Sequence, residues 1–219
     1  WYRRLSLLDH VLRDDATFEE FDRADFGEQG DFLVQPWDVR VAEPTGTGTP
    51  QGAELTLRRA GTAWLGGRAR QLVFEKRIRM TADAPRIEIE HVIRSMESTP
   101  LEFRHGIEFN FTMLAGDADD RWVAIDGTKP AGQPNLGGRG VHAGVRTVSL
   151  HDAWEPFSVV LNWTRPADLW RLPVDTISQS EAGFERVYQS TCLLPQWRVA
   201  LEPNGEWRQA ITLTFHDRA

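Results

Sequence analysis

The stretch Leu101–Arg121, LEFRHGIEFNFTMLAGDADDR, constrains the fold more than any other. Leu101, Phe103, His105, Ile107, Phe109, Phe111 and Met113 alternate with Glu102, Arg104, Gly106, Glu108, Asn110 and Thr112. Successive side chains of a strand point to opposite faces, so this is a long strand with one apolar and one polar face. The apolar face demands a second layer to cover it. The polar face sets a guanidinium, a carboxylate and an amide in one row. The composition of Gly116-Asp117-Ala118-Asp119-Asp120 predicts a turn where the strand stops.

The rest of the chain repeats the pattern in shorter pieces. The apolar run Trp1–Arg13 fits a short helix or a strand and is read as a strand; further strands are expected at Asp31–Val41, Glu54–Arg59, Gln71–Met80, Arg86–Arg94 and Trp122–Ile125. Six more are expected at Val145–Leu150, Phe157–Trp163, Leu169–Ile177, Phe184–Gln189, Trp197–Glu202 and Arg208–Phe215. Thr17–Phe21 holds one possible helical turn, and Pro36 marks an edge or a bulge. Gly61–Gly67 reads as a turn region. Glu43–Gly52 and Gly127–Gly144 read as loops, the longer of which frames a site or is disordered. No segment keeps helical periodicity over three turns, and no βαβ alternation occurs. The expectation is an all-β protein: a large antiparallel β-sandwich, one domain over residues 1–219.

Composition narrows the function classes. A net charge of −7 argues against nucleic acid, which calls for a basic face. Among 25 basic residues only Lys76 and Lys129 are lysines, which is read as genome composition. Cys192 is alone, so neither an internal disulfide nor a cysteine metal cluster is available. No apolar run approaches the length of a membrane span. The chain starts at Trp1 and reads as a fragment of something longer. The single cysteine and the absence of a visible export signal suggest the cytoplasm.

The candidate constellations are modest. Arg104, Glu108 and Asn110 on one face can hydrogen-bond vicinal sugar hydroxyls; a solvated face or a cross-strand ion-pair ladder with residues such as Arg94 is the alternative. Among nine tryptophans, Trp37, Trp154 and Trp170 lie beside turns or prolines, where a ring can stack on a sugar. Trp163, Trp197 and Trp207 fall on apolar faces and read as core. His91 and His105 also lie on apolar faces, where histidine is most often a hydrogen-bonded core residue. Asp9-His10 suggests a polar cluster at a junction, and as a metal site it lacks a nameable third ligand. Asp117, Asp119 and Asp120 do not match a calcium loop. Phosphate-binding glycine loops, HExxH, GxSxG and CxxC are all missing from the sequence, so no metal, cofactor or catalytic set is assigned.

Four segments together resemble one family. They are Ser6–His10 (SLLDH), Gly30–Trp37 (GDFLVQPW), Gly106–Phe111 with Leu114–Asp117 (GIEFNF, LAGD), and Pro173–Ser178 through Glu181 to Gly183–Gln189. In this order they are similar to the C-terminal domain of glycoside hydrolase family 57 enzymes, the α-amylase/4-α-glucanotransferase group. The resemblance implies a galactose mutarotase-like supersandwich, akin also to α-mannosidase C-terminal domains. It implies further that the catalytic carboxylates belong to an N-terminal barrel-like domain with no counterpart here. The expected function is then a non-catalytic accessory domain of an α-glucan-acting enzyme. Its partners would be the catalytic domain of the parent chain and a maltooligosaccharide or related α-glucan. Arg104, Glu108, Asn110, Trp37, Trp170 and Glu181 are the candidate carbohydrate-binding residues, with Glu185 a weaker one. A purely structural inter-domain module is the alternative. An aldose epimerase-like enzyme pairing His105 or His91 with Glu108 is disfavoured, because alternation puts His105 and Glu108 on opposite faces.

Overall fold

A computed structural model describes residues 1–42, 52–180 and 183–217. Eleven strands and one short helix follow in the order β1 (Leu8–Leu12), α1 (Phe18–Asp22), β2 (Asp38–Ala42), β3 (Gly52–Leu65), β4 (Arg68–Thr81), β5 (Arg86–Ser95), β6 (Leu101–Phe111), β7 (Arg121–Ile125), β8 (Gly140–Asp152), β9 (Phe157–Ser180), β10 (Gly183–Leu201) and β11 (Glu206–Asp217). All pairings are antiparallel. The spatial order is β1-β6-β10-β9-β11-β5-β4-β3-β2, with β8 also on β9 and β7 on β8. One continuous sheet therefore curls over itself to make both layers of the sandwich, and the apolar faces of its two halves close on one another.

Strand β9 carries the fold-over. The sequence pattern predicts two strands, Phe157–Trp163 and Leu169–Ile177; the structure has one strand that changes partners between them. Its first part pairs with β11, and from Asp168 onward it pairs with β10. Pro166, in the changeover, has no N–H to offer either ladder. Phe184–Gln189 and Trp197–Glu202 likewise merge into β10.

Other expectations shift for local reasons. The first strand covers Leu8–Leu12 rather than Trp1–Arg13, because Leu7 adopts a left-handed conformation (φ 64°) that redirects Trp1–Ser6. Asp31–Val41 is a strand only from Asp38. The hairpin between β3 and β4 turns at Gly66-Gly67, both with positive φ. Gly61 is not part of that turn but lies within β3, where a Cβ would sit 2.8 Å from the Phe32 ring. Phe32 itself stacks on Phe74 at 3.9 Å. The expected single turn of helix exists: the Thr17 side chain accepts from the Glu20 N–H and Glu20 reaches back to the Thr17 N–H. The loop at residues 128–139 is tied down by Arg171, whose guanidinium donates to the Gln133 and Asn135 carbonyls at 2.6 and 2.9 Å. The loop at 43–51 falls outside the described residues. Among the described residues no helix is long and apolar enough to cross a membrane.

Two cores result. The larger lies between the layers and includes Phe74, Phe103, Phe109, Trp163, Trp197 and Trp207, placing those three tryptophans where alternation put them. The smaller lies on the outer face of β6, β10 and β9 and includes Phe21, Phe26, Trp170, Leu172, Cys192 and Leu194. The N-terminal segment makes its lid.

Candidate functional site

Strand β1 delivers consecutive residues to both cores. Asp9 turns inward and His10 outward, as the strand's alternation requires. Each nucleates a buried polar cluster.

The inner cluster joins the two layers. Asp9 Oδ1 accepts from Nε2 of His91 (2.6 Å) and of His105 (3.0 Å), while Oδ2 meets Lys76 Nζ at 2.6 Å. Asp9 and His105 come from β1 and β6; Lys76 and His91 come from β4 and β5, across the core. Lys76 also donates to the Leu7 carbonyl (2.7 Å), holding the left-handed turn there. Burial pushes the Asp9 carboxyl up, but Lys76 and His91 hold it well below the ordinary range. Burial pulls His105 down to about 4 against the opposing hydrogen bond from Asp9. Its Nδ1 has no partner, so a second proton there would be a buried, unsatisfied donor.

Asp9, His91 and His105 place three possible metal-ligand atoms within 4.8 Å of one another. They supply the third ligand that the Asp9-His10 dipeptide lacked on sequence grounds. The arrangement nevertheless fits a proton-sharing ion cluster better than a metal centre. Both Nε2 atoms carry the hydrogens donated to Asp9, and the Lys76 ammonium already neutralises the carboxylate. Neither Nδ1 has the carbonyl or carboxylate that normally steadies a ligating imidazole.

The outer cluster contains Glu108 and Asn110 from the polar row of β6. Glu108 is fully buried. Its oxygens accept from the Tyr2 hydroxyl (2.8 Å), His10 Nε2 (3.0 Å) and Asn110 Nδ2 (2.6 Å), with Arg4 Nη1 at 3.5 Å. His10 Nδ1 donates to Glu28 at 2.9 Å. Glu28 in turn accepts from the Val11 and Gly30 N–H groups. Burial pulls His10 down, yet hydrogen bonds to Glu108 and Glu28 outweigh it and raise its pKa to about 9. Burial pushes Glu108 up, and His10, with Arg4 and Asn110, more than reverses it. Burial drives the neighbouring Cys192 thiol far above its ordinary value, so it stays protonated.

The candidate residues are therefore dispersed. Glu108 is sealed under the N-terminal segment rather than displayed on a free face. Asn110 is engaged by Glu108 and by the Leu5 carbonyl (2.8 Å). Trp170 is not at a rim; it is buried in the smaller core, with the Arg104 guanidinium 4.6 Å over its ring. Trp37 is half-buried, donates to the Phe32 carbonyl, and has Lys76 Nζ 4.1 Å over its ring. Glu181 lies outside the described residues. Glu185 is exposed on the β9–β10 hairpin. Arg104 is the member of the row that still reaches an open cleft. The alternative of a cross-strand ladder joining this row to Arg94 does not form: β6 and β5 are not neighbours, and Arg94 pairs instead with Glu75 and Glu206. His105 and Glu108 are on opposite faces of β6, one in each cluster.

Sequence reasoning missed Lys76, Tyr2, Arg4 and Glu28. One signal existed for Lys76. In a chain that uses arginine almost throughout, a lysine marks a place that needs a compact point charge. Lys129, the other, also sits over an aromatic ring, Trp122, at 3.9 Å.

Comparison with known proteins agrees with this architecture. Residues 1–211 match the family described as "Alpha-amylase/4-alpha-glucanotransferase, C-terminal". The chain belongs to that family. An α-amylase of Dictyoglomus thermophilum is 28% identical over 128 residues, 57% of this chain and 17% of its own. A 4-α-glucanotransferase of Thermococcus litoralis is 23% identical over 199 residues, 89% of this chain and 25% of its own. The crystal structure of that glucanotransferase superposes on all of this chain with a TM-score of 0.69 at 19% identity, using 28% of its own length. A putative aldose 1-epimerase of Escherichia coli K12 superposes with a TM-score of 0.63 at 12% identity over all of this chain and 82% of its own. This second likeness shows the galactose mutarotase-like fold alone. The chain spans about a quarter or less of the length of these curated relatives.

Proposed function

We propose that this chain is the non-catalytic accessory domain of an α-glucan-acting enzyme, packing on the catalytic domain of the same longer chain and adding contacts to the glucan. The observation that carries the reading is the family match over residues 1–211 to a C-terminal domain, in relatives several times longer.

The far end of the β9–β10 hairpin supports the packing role. From Val174 to Ser190 these strands pair with each other and, among the described residues, with no other strand. Ile177 and Phe184 are diagonal neighbours on one face of this arm, 74% and 83% exposed. An exposed aromatic beside an aliphatic group, with Arg186 next to them, has the composition of a docking anchor. The purely structural reading, without sugar contact, draws support from the internal commitments of Glu108 and Asn110.

The test mixes this chain with a separately expressed catalytic portion of its enzyme. Association and a raised melting temperature of the catalytic portion are expected, both lost with Ile177→Asp plus Phe184→Asp. Lack of association at any concentration would overturn the packing role. Turnover of glucan by this chain alone would overturn its non-catalytic status.

A further inference from the structure

A small cleft on the outer face of β6, β10 and β9 takes none of the roles assigned above. It lies beyond the edge of the smaller core and is lined by Asp14, Arg104, Asp168, Gln196, Trp197 and Arg198, with a volume of about 130 Å³. Register explains why these residues meet. Gln196 on β10 stands between Gly106 of β6 and Asp168 of β9, and Arg198 stands opposite Arg104. Gly106 contributes no side chain, and a Cβ there would press on Leu194 at 3.0 Å. Asp14, from the turn before α1, closes the rim.

The polar groups are only partly committed. Arg104 donates one N–H to the Ala16 carbonyl (2.8 Å), Arg198 meets Asp14 at 3.3 Å, and Asp168 accepts from the Gly144 N–H at 3.3 Å. Gln196 is the telling residue. It is 3% exposed, its Nε2 makes one long bond of 3.5 Å to the Leu194 carbonyl, and its Oε1 has no partner. A buried amide oxygen left unpaired costs about 1–3 kcal/mol, so a donor that enters beside this side chain, a water or a ligand hydroxyl, meets an acceptor not yet used by the chain.

We infer that this cleft is a subsite for one unit of a neutral, hydroxyl-rich ligand, a hexopyranosyl unit of an α-glucan. Two arginines balance two aspartates, so the cleft offers no net charge to hold an anion or a cation. Guanidinium donors alternate with carboxylate and amide acceptors, the pattern that vicinal hydroxyls satisfy. The volume holds a few waters or the hydroxyl edge of one sugar ring, and no more. This inference rests on the glucan-contact part of the proposed function, not on the packing role, and the tests separate the two: the docking experiment contains no sugar, and the following one contains no partner.

The experiment is titration of the 219-residue chain with maltoheptaose, followed by the side-chain amide signal of Gln196 and the backbone amide of Arg198 in ¹H–¹⁵N NMR spectra. Saturable shifts with a dissociation constant of about 1–10 mM are expected. Gln196→Leu should weaken binding about tenfold or more, worth about 1.4 kcal/mol. Arg198→Ala changes a side chain that is 74% exposed, so it tests the site without endangering the fold, and it should weaken binding severalfold. Glucuronate, which keeps the pyranose ring but carries a carboxylate at C6, should bind no better than glucose. No saturable shift would overturn the subsite, as would binding that survives both substitutions unchanged, or a preference for the anion.

Discussion

Asp9 and His10 are adjacent in the chain and equally buried, yet the clusters they build hold histidine in opposite charge states. Inside, His105 shares one carboxylate with His91 and with the ammonium of Lys76. Asp9 is already answered by Lys76 and His91, so its bond to His105 does not offset burial, and burial prevails. Outside, His10 has two carboxylates to itself, at 2.9 and 3.0 Å, and these overcome the same burial. The balance of counter-charges, not depth, sets the protonation. The inner cluster is the pin between the layers, and the outer one is a clasp that fastens the N-terminal segment over β6.

The contrast breaks most sharply at Asp9. Asp9→Ala strands the Lys76 ammonium in the core and should cost about 3–5 kcal/mol of unfolding free energy, read from urea denaturation. Adding Lys76→Met should recover most of that loss; if it recovers none, the charge balance is not what holds the cluster. His10→Gln is expected to cost less, about 2–3 kcal/mol, because Glu108 and Glu28 keep their other donors.

Between these in diagnostic value stands the pH dependence. His10 has a folded pKa above its unfolded one, so its contribution is complete below about pH 6.5 and fades as pH rises toward 9. That limb is worth about 3 kcal/mol and should vanish in His10→Gln. His105 has a folded pKa below its unfolded one, so its contribution is complete above about pH 6.5 and fades as pH falls toward 4. Asp9 adds a further loss below its unfolded pKa. Stability should therefore peak close to pH 6.5 and fall on both sides. A flat profile from pH 5 to 9 would refute both assignments. The smallest effect belongs to the exposed ladder. Substituting Arg208, which meets Glu90 and Glu206 in solvent, should leave the unfolding midpoint unchanged within measurement.

The alternation in β6, the single helical turn at Thr17–Phe21 and the core placement of Trp163, Trp197 and Trp207 were all legible in the sequence, because each depends on neighbours within a few residues. The fate of the polar row was not. Alternation states which way Glu108 faces but not what covers it, and the cover arrives from Tyr2, Arg4 and His10, about a hundred residues earlier. Trp170 misled for the same reason: it stands near prolines but lies beneath Phe18 and Phe21.

By itself the sequence determined the class of fold, since a period of two maintained over so much of the chain leaves no other way to bury the apolar faces. That Asp9 and His10 point apart follows only once Leu8–Leu12 is known to be a strand. Only the tertiary structure decided that one sheet makes both layers, and that Asp9 meets Lys76, His91 and His105 from 67, 82 and 96 residues away. The physical reason is that a strand's own residues set its faces, whereas charge compensation inside a core depends on which distant strands the fold brings within about 3 Å of each other.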